Sequence, residues 1–139
     1  FLETSQENVY ATGDIAEYFD AYSGVARTVG NWTNSFLQGR AAALNMSASL
    51  SGSEERRAPY AAVPSYFIIN LKLNLTFTGY LEDADDFWER MREGGITRVF
   101  LKNGKVRGAV LINSFNDKIK IAELIKSGGG KYELEKAFS

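Results

Sequence analysis

The clearest pattern in the chain is an alternation of apolar and polar residues over residues 66–78. Leu71, Leu73, Leu75 and Phe77 alternate with Lys72, Asn74, Thr76 and Thr78, which predicts one strand with a buried and a wetted face, ended by Gly79. Residues 97–102 and 106–113 flank Asn103-Gly104. Asn-Gly between two β-rich runs predicts a hairpin, because both central positions of a type I′ turn require positive φ. Residues 83–92 carry Phe87, Trp88 and Met91 behind an acidic start and predict a short helix. Residues 115–126 predict an amphipathic helix with Phe115, Ile119, Ala122 and Ile125 on one face. Gly128-Gly129-Gly130 reads as its stop before a C-terminal tail. Three antiparallel strands and a helix make a small α+β layer that supplies its own core.

The first part of the chain is patterned differently. Residues 8–12 predict a short strand ended by Gly13-Asp14, and residues 17–30 a long loop of the kind that binds something or leans on a partner domain. Residues 31–48 predict a helix with Trp32, Phe36, Ala43 and Met46 near one face. Small, charged and Pro residues cluster over residues 51–59, which places a domain boundary there and divides the chain into residues 1–58 and 59–139. The first fifty residues look less self-sufficient than the rest. Isolated, the chain is expected to self-associate through them, because strand edges and an apolar helix face would lack cover.

Composition narrows the chemistry. The chain has 139 residues, 45% of them hydrophobic, enough for a real core. Its formal charge of −1 argues against nucleic acid as the main partner. There is neither cysteine nor histidine, which excludes thiolate nucleophiles, disulfides, Cys/His zinc sites and His-based triads. No apolar run approaches the roughly 18 residues of a membrane span. The chain starts Phe-Leu-Glu, without a Met or a signal peptide, and reads as a soluble, cytoplasmic piece of something longer. The N-x-Ser/Thr triplets at Asn31, Asn45 and Asn74 read as chance. Asp83, Asp85, Asp86 and Glu89 read as an acidic first helical turn with no metal. Arg98, Lys102, Lys105, Arg107, Lys118, Lys120 and Lys126 read as a solvated face, with docking of an acidic electron-transfer protein as the sharper option.

Four strings carry a family resemblance. Val9-Tyr10-Ala11-Thr12-Gly13-Asp14-Ile15-Ala16 resembles the second flavin-binding motif of the pyridine-nucleotide-dependent FAD oxidoreductases. Trp32-Thr33-Asn34-Ser35-Phe36-Leu37-Gln38-Gly39-Arg40-Ala41-Ala42-Ala43-Leu44-Asn45-Met46 resembles the helix that follows it, usually W-x-x-A-x-x-Q-G-x-x-A-A-x-N-M. Pro64-Ser65-Tyr66-Phe67 is similar to the V-P-Y-F entry into the C-terminal domain, and residues 102–110 to that domain's L-x-x-G-K-V-x-G-A hairpin. The branch resembled is the ferredoxin and rubredoxin reductase or NADH oxidase type, which includes apoptosis-inducing-factor-like proteins.

The resemblance implies an antiparallel α+β C-terminal domain preceded by the strand–loop–helix remnant of an α/β FAD-binding domain. It implies cofactor contacts at Gly13, Asp14, Trp32, Thr33, Tyr66 and Phe67, and no catalytic residue of the chain's own. In that family Gly lets the backbone approach FAD, Asp accepts from ribityl hydroxyls, and the helix N-terminus faces the flavin ring. The intact parent would pass electrons from NAD(P)H through FAD to a redox protein, quinone or oxygen, with its N-terminal FAD and NAD(P)H domains as this segment's partners. Both G-x-G-x-x-G turns are missing here, so the isolated chain is expected to be inactive. Residues 27–32 lack a Glu that the family often has, Ser65 interrupts Pro-Tyr-Phe, and Ile68 replaces a frequent Trp. Without a histidine the chain cannot lend the acid/base His that the resemblance to glutathione reductases would imply, which argues against a glutathione-reductase-like parent. A rival reading of a different class is a non-catalytic interaction or dimerisation module.

Overall fold

A computed structural model describes residues 1–70 and 72–139. The chain forms two compact units, Phe1–Ala62 and Val63–Ser139. The division falls past the Pro59 expected from composition because Tyr60 belongs to the core of the first unit, with Leu2, Tyr18 and Ala42. No helix of the described residues is long and apolar enough to cross a membrane.

In the first unit the expected strand over residues 8–12 reduces to one bridge, Glu3 to Tyr10, flanked by bonds from Thr4 N to Val9 O and from Ala11 N to Leu2 O. A strand needs a ladder, and within this unit only residues 2–4 lie beside it. The expected long loop is instead a hairpin of β1 (Glu17–Asp20) and β2 (Val25–Thr28). Its turn is organised by Asp20, whose Oδ1 accepts from Tyr22 N (2.9 Å) and Ser23 N (3.2 Å). This is the Asx-turn habit of a short acidic side chain.

Helix α1 (Trp32–Leu50) forms where expected, but with the opposite face inward. Asn34, Gln38, Ala42, Asn45 and Ala48 are buried, while Trp32 is 91% and Phe36 69% exposed, and Ala43 and Met46 are exposed too. The amides face inward because they have work there. Asn34 Nδ2 donates to Val29 O (2.8 Å) and its Oδ1 accepts from Tyr60 OH (2.7 Å). Asn45 Nδ2 donates to the carbonyls of Phe1 (2.8 Å) and Ala58 (3.0 Å), and its Oδ1 accepts from Ala58 N (2.9 Å). Each loop carbonyl satisfied this way would otherwise be an unpaired polar group at the helix surface.

The second unit is a five-stranded antiparallel sheet in the order β3 (Ser65–Asn70), β4 (Leu73–Gly79), β7 (Lys105–Ile112), β6 (Gly95–Lys102), β5 (Asp86–Arg92). Helices α2 (Asp117–Ser127) and α3 (Lys131–Phe138) cover one face. The core between them is Val99, Leu101, Ala109 and Leu111 against Ile121, Ile125, Leu134 and Phe138. The α+β class with a small antiparallel sheet is as expected; five strands and two helices stand where three strands and two helices were read, and of those two helices only the one over residues 115–126 forms.

Four readings are corrected. The single strand over residues 66–78 is a hairpin of β3 and β4, with Lys72 at φ +68°; Leu71 lies outside the described residues. Its alternation is real but inverted: Thr76 and Thr78 are buried, on the face of Ala109 and Leu111, while Leu73 is half exposed. β-Branched threonine packs there as valine would. The expected helix over residues 83–92 is edge strand β5, held by seven residue pairs with β6. The aromatic Phe87 and Trp88 suit a strand, and cross-strand pairing overrides the acidic helix-start signal. On α2 the buried pair is Ile121 and Ile125, and Ile119 is exposed. The turn at Asn103-Gly104 (φ +50° and +73°) and the helix stop at Gly128 form as expected, but the tail beyond is α3.

Gly79 and Gly108 face each other across β4 and β7. A Cβ at Gly108 would run into the Tyr80 backbone, and one at Gly79 into Arg107 O. This close approach lets Tyr80 N donate to Arg107 O (2.9 Å) as the chain leaves β4.

The first unit's core also sets a pH limit. Tyr18 and Tyr60 meet edge to face at 5.2 Å. Burial, reinforced by the Asp20 charge, pushes the Tyr18 phenol up from 10.0 to about 12. Burial pushes Tyr60 up as well, with the Tyr18 and Asp20 charges adding to it. A raised phenol pKa means the unfolded chain ionises first. The unit is therefore expected to keep its full stability below pH 10 and to lose it progressively as pH rises toward about 12. Unfolding followed by circular dichroism against pH, with Tyr18→Phe flattening the alkaline loss, checks this; an unaltered profile in that variant would refute it.

Candidate functional site

The Gly13-Asp14 turn lies beside the first turns of α1, within one unit. Gly13 takes φ +83°, in the region where a side chain is strained, and Ala16 N closes the turn onto Gly13 O at 3.0 Å. Gly13 N donates to Gln38 Oε1 at 2.7 Å. Asp14 Oδ1 accepts from Ser35 Oγ at 2.9 Å. Residues 35 and 38 of one helix thus hold residues 13 and 14, one by the main chain and the other by the carboxylate. On another side, Gly30 brings its backbone close: a Cβ there would stand 3.7 Å from Asp14 Cγ.

Asn31 caps α1, its Oδ1 accepting from Asn34 N at 2.8 Å. The first-turn amides of Trp32 and Thr33 have no intrahelical acceptor, as at any helix start, and leave the positive end of the helix dipole beside an exposed carboxylate. Gln38 is fully buried, and its Nε2 has no hydrogen-bond partner among the described residues. The arrangement offers acceptors on Asp14 for hydroxyl donors and amide donors for an electron-rich group. Those donors and acceptors fit the polyol and pyrimidine parts of a flavin.

The structure brings Gly13, Asp14, Trp32 and Thr33 together. Tyr66 and Phe67 lie on β3 of the other unit and project to opposite faces of it. Tyr66 stacks on Phe77 (4.7 Å) on the face away from the helices, while Phe67 meets Phe115 edge-on at 6.3 Å on the helix side.

Three residues that the motifs left without a role prove to build the site: Ser35, Gln38 and Gly30. The sequence held one signal for them, the spacing of 35 and 38 on one helix face. Arg27 serves the hairpin instead, donating to Ser23 Oγ (3.1 Å) and facing Asp20 (3.7 Å). The acidic residues near β5 have local partners: Asp85 Oδ2 accepts from Asn103 N (2.8 Å), Asp83 faces Lys102 and Glu89 binds Arg98. Asn45, buried with its amide fully used, explains one N-x-Ser triplet as structural.

No protein-family model matches the chain, and no curated protein matches it in sequence. Solved structures do. A ferredoxin reductase from Rhodopseudomonas palustris matches at 25% identity and TM-score 0.72, over 85% of this chain and 28% of that one. Putidaredoxin reductase, in its covalent complex with putidaredoxin, matches at 18% identity and TM-score 0.76, over 91% and 29%. An NADH:rubredoxin oxidoreductase from Clostridium acetobutylicum matches at 23% identity and TM-score 0.60, over 93% and 32%. The chain therefore has the fold of a partial segment of reductases of the ferredoxin and rubredoxin type, the branch its motifs resemble, and spans about a third or less of their length.

Proposed function

We propose that the chain is the C-terminal portion of an FAD-dependent NAD(P)H oxidoreductase, comprising the end of its FAD domain and its C-terminal domain. The observation that carries this is the Gly13-Asp14 turn clamped against the start of α1 by Gln38 and Ser35. FAD, when bound, supplies the redox chemistry, accepting hydride from NAD(P)H and releasing electrons to an acceptor. The chain's own residues bind and orient. Asp14 accepts hydrogen bonds from the ribityl chain, and Gly13 allows the approach. The amides of Trp32 and Thr33 stabilise negative charge on the flavin pyrimidine, and Tyr66 provides an aromatic wall. The acceptor in this reading is a redox protein, as the putidaredoxin reductase complex suggests by likeness, with quinone and oxygen as the other candidates. The reading places the enzyme in the cytoplasm, and its N-terminal FAD and NAD(P)H domains become the segment's first partners.

The exposed apolar surface supports the presence of partners. Trp32, Phe36 and Leu44 on α1, and Tyr66, Ile68, Leu73 and Met91 on the sheet face away from the helices, are all exposed. In the intact enzyme these surfaces lie against the other domains. In the isolated chain a second copy covers them, which is also what a non-catalytic dimerisation module would do. Light scattering is expected to show association of the chain, weakened by Trp32→Ser with Phe36→Ser; a monomer at high concentration would contradict both readings of this surface.

Two outcomes test the flavoprotein reading directly. The 139-residue chain supplied with FAD is expected to show no NAD(P)H oxidation, since it lacks both dinucleotide phosphate turns; turnover would overturn the assignment. In the complete reductase carrying this segment, Asp14→Ala is expected to weaken FAD binding by about tenfold to a hundredfold. That corresponds to the roughly 1.5–3 kcal/mol of a hydrogen bond to a charged group. Equilibrium release of flavin measures it, and unchanged affinity would reduce Gly13-Asp14 to an ordinary turn.

A further inference from the structure

We propose that Ser35 is a positioning residue that holds the Asp14 carboxylate in its ligand-accepting orientation before any ligand arrives. The inference rests on the flavin reading of the Gly13-Asp14 turn for the identity of the ligand, but not for the hold itself.

The hydroxyl of Ser35 has one proton and two acceptors within reach: Asp14 Oδ1 at 2.9 Å and Asn31 O at 3.1 Å. The second is the common back-bond of a helical serine to the carbonyl four residues earlier. Asn31 O has no need of it, since it already accepts the first helical bond from Ser35 N at 3.0 Å. The carboxylate gains more, because a hydrogen bond to a charged acceptor is about twice as strong as one between neutral groups. The proton therefore goes to Asp14. Ser35 uses one lone pair of Oδ1, and among the described residues Oδ2 has no hydrogen-bond donor, so acceptor capacity for incoming hydroxyls remains.

The surroundings make this hold specific. A Cβ at Gly13 would stand 3.5 Å from Ser35 Oγ, so the hydroxyl lies in contact distance of the turn it serves. Gln38 Oε1 fixes the Gly13 amide at the same time, which keeps the backbone under Asp14 from turning away. Gly30 closes the carboxylate from another direction. Asp14 itself is exposed, and Ser35 is the side chain that fixes its carboxylate by a hydrogen bond. At this position the usual helix motif has Ala, which cannot donate. Fixing one exposed side chain in advance removes part of the ordering cost of binding, worth about threefold to tenfold in affinity.

The test uses the full 139-residue chain. Side-chain scalar couplings of isotope-labelled protein are expected to show one dominant Asp14 rotamer, averaged rotamers in Ser35→Ala, and recovery in Ser35→Thr. Amide exchange in α1 should not change, since Ser35 N and Asn31 O keep their bond. An Asp14 rotamer unmoved in Ser35→Ala would overturn the proposal. The same substitutions are then made in the complete reductase carrying this segment, where equilibrium release of flavin measures the FAD affinity. Affinity about threefold to tenfold weaker in Ser35→Ala, with Ser35→Thr near the parent value, supports the positioning role, and equal affinity in all three overturns it. Asp14 ordered by Ser35 in the chain, together with a flavin affinity of the complete reductase that Asp14→Ala leaves unchanged, would sink the flavin reading and, with it, the ligand role given to Ser35, while leaving the hold itself established.

Discussion

The first unit depends on a helix that turns its amides inward. Four apolar residues (Leu2, Tyr18, Ala42 and Tyr60) form the buried cluster, too few to specify a fold by burial alone. Asn34, Gln38 and Asn45 do the rest, binding Val29, Tyr60, Gly13, Phe1 and Ala58. Hydrogen bonds of this kind contribute little net energy each, but leaving any of them unmade in a buried place costs more than the bond returns. The loops consequently have one satisfied arrangement. Geometry rather than stability is what α1 supplies, and the Gly13-Asp14 turn is one of the segments so held.

The same inward polar stripe leaves the apolar residues of α1 outside. Trp32 and Phe36 are exposed for the same reason that Asn34 and Gln38 are buried: the helix has one face for the loops and the opposite face for something else. The sheet of the second unit repeats the division by different means. Its helices cover the face of Val99, Leu101, Ala109 and Leu111, and residues of the neighbouring strands, Ile68, Leu73 and Met91 among them, are left on the other face. An antiparallel sheet with one wetted face normally carries polar residues there. Here that face carries the close charge pair of Glu89 with Arg98 among mostly apolar side chains.

What the sequence made legible follows from how local the signal is. Asn103-Gly104 and Gly128 act through their own backbone preferences, and both did what their chemistry requires. The motif strings located the turn and the helix because each is a local run of residues, independent of what packs behind. The misread elements are those decided by neighbours. Alternation over residues 73–78 identified the period but not the face, since Thr76 and Leu75 are separated only by where α2 sits. Residues 86–92 carry enough Glu and Arg to pass for a helix, and only the seven pairs with β6 make them a strand. Asp20 organises a hairpin turn that no hydrophobic period announces. Gln38 was visible as a letter in a motif, but its bond to Gly13 spans 25 positions and belongs to tertiary structure.

The division of labour at the site follows from the charges each part can offer. A ligand hydroxyl needs an acceptor with spare lone pairs, and Asp14 retains them because Ser35 donates to it without accepting in return. A ligand carbonyl that becomes more negative needs donors that cost nothing to reorient, and helix amides are fixed by the fold. Ser35 and Gln38 touch no ligand in this scheme, yet they decide where the acceptor and the turn stand. Had the inward face of α1 been apolar, burial would have been served and the turn would have lost both of its anchors. The buried amides are therefore the cost at which a small unit keeps a carboxylate in register with a helix end.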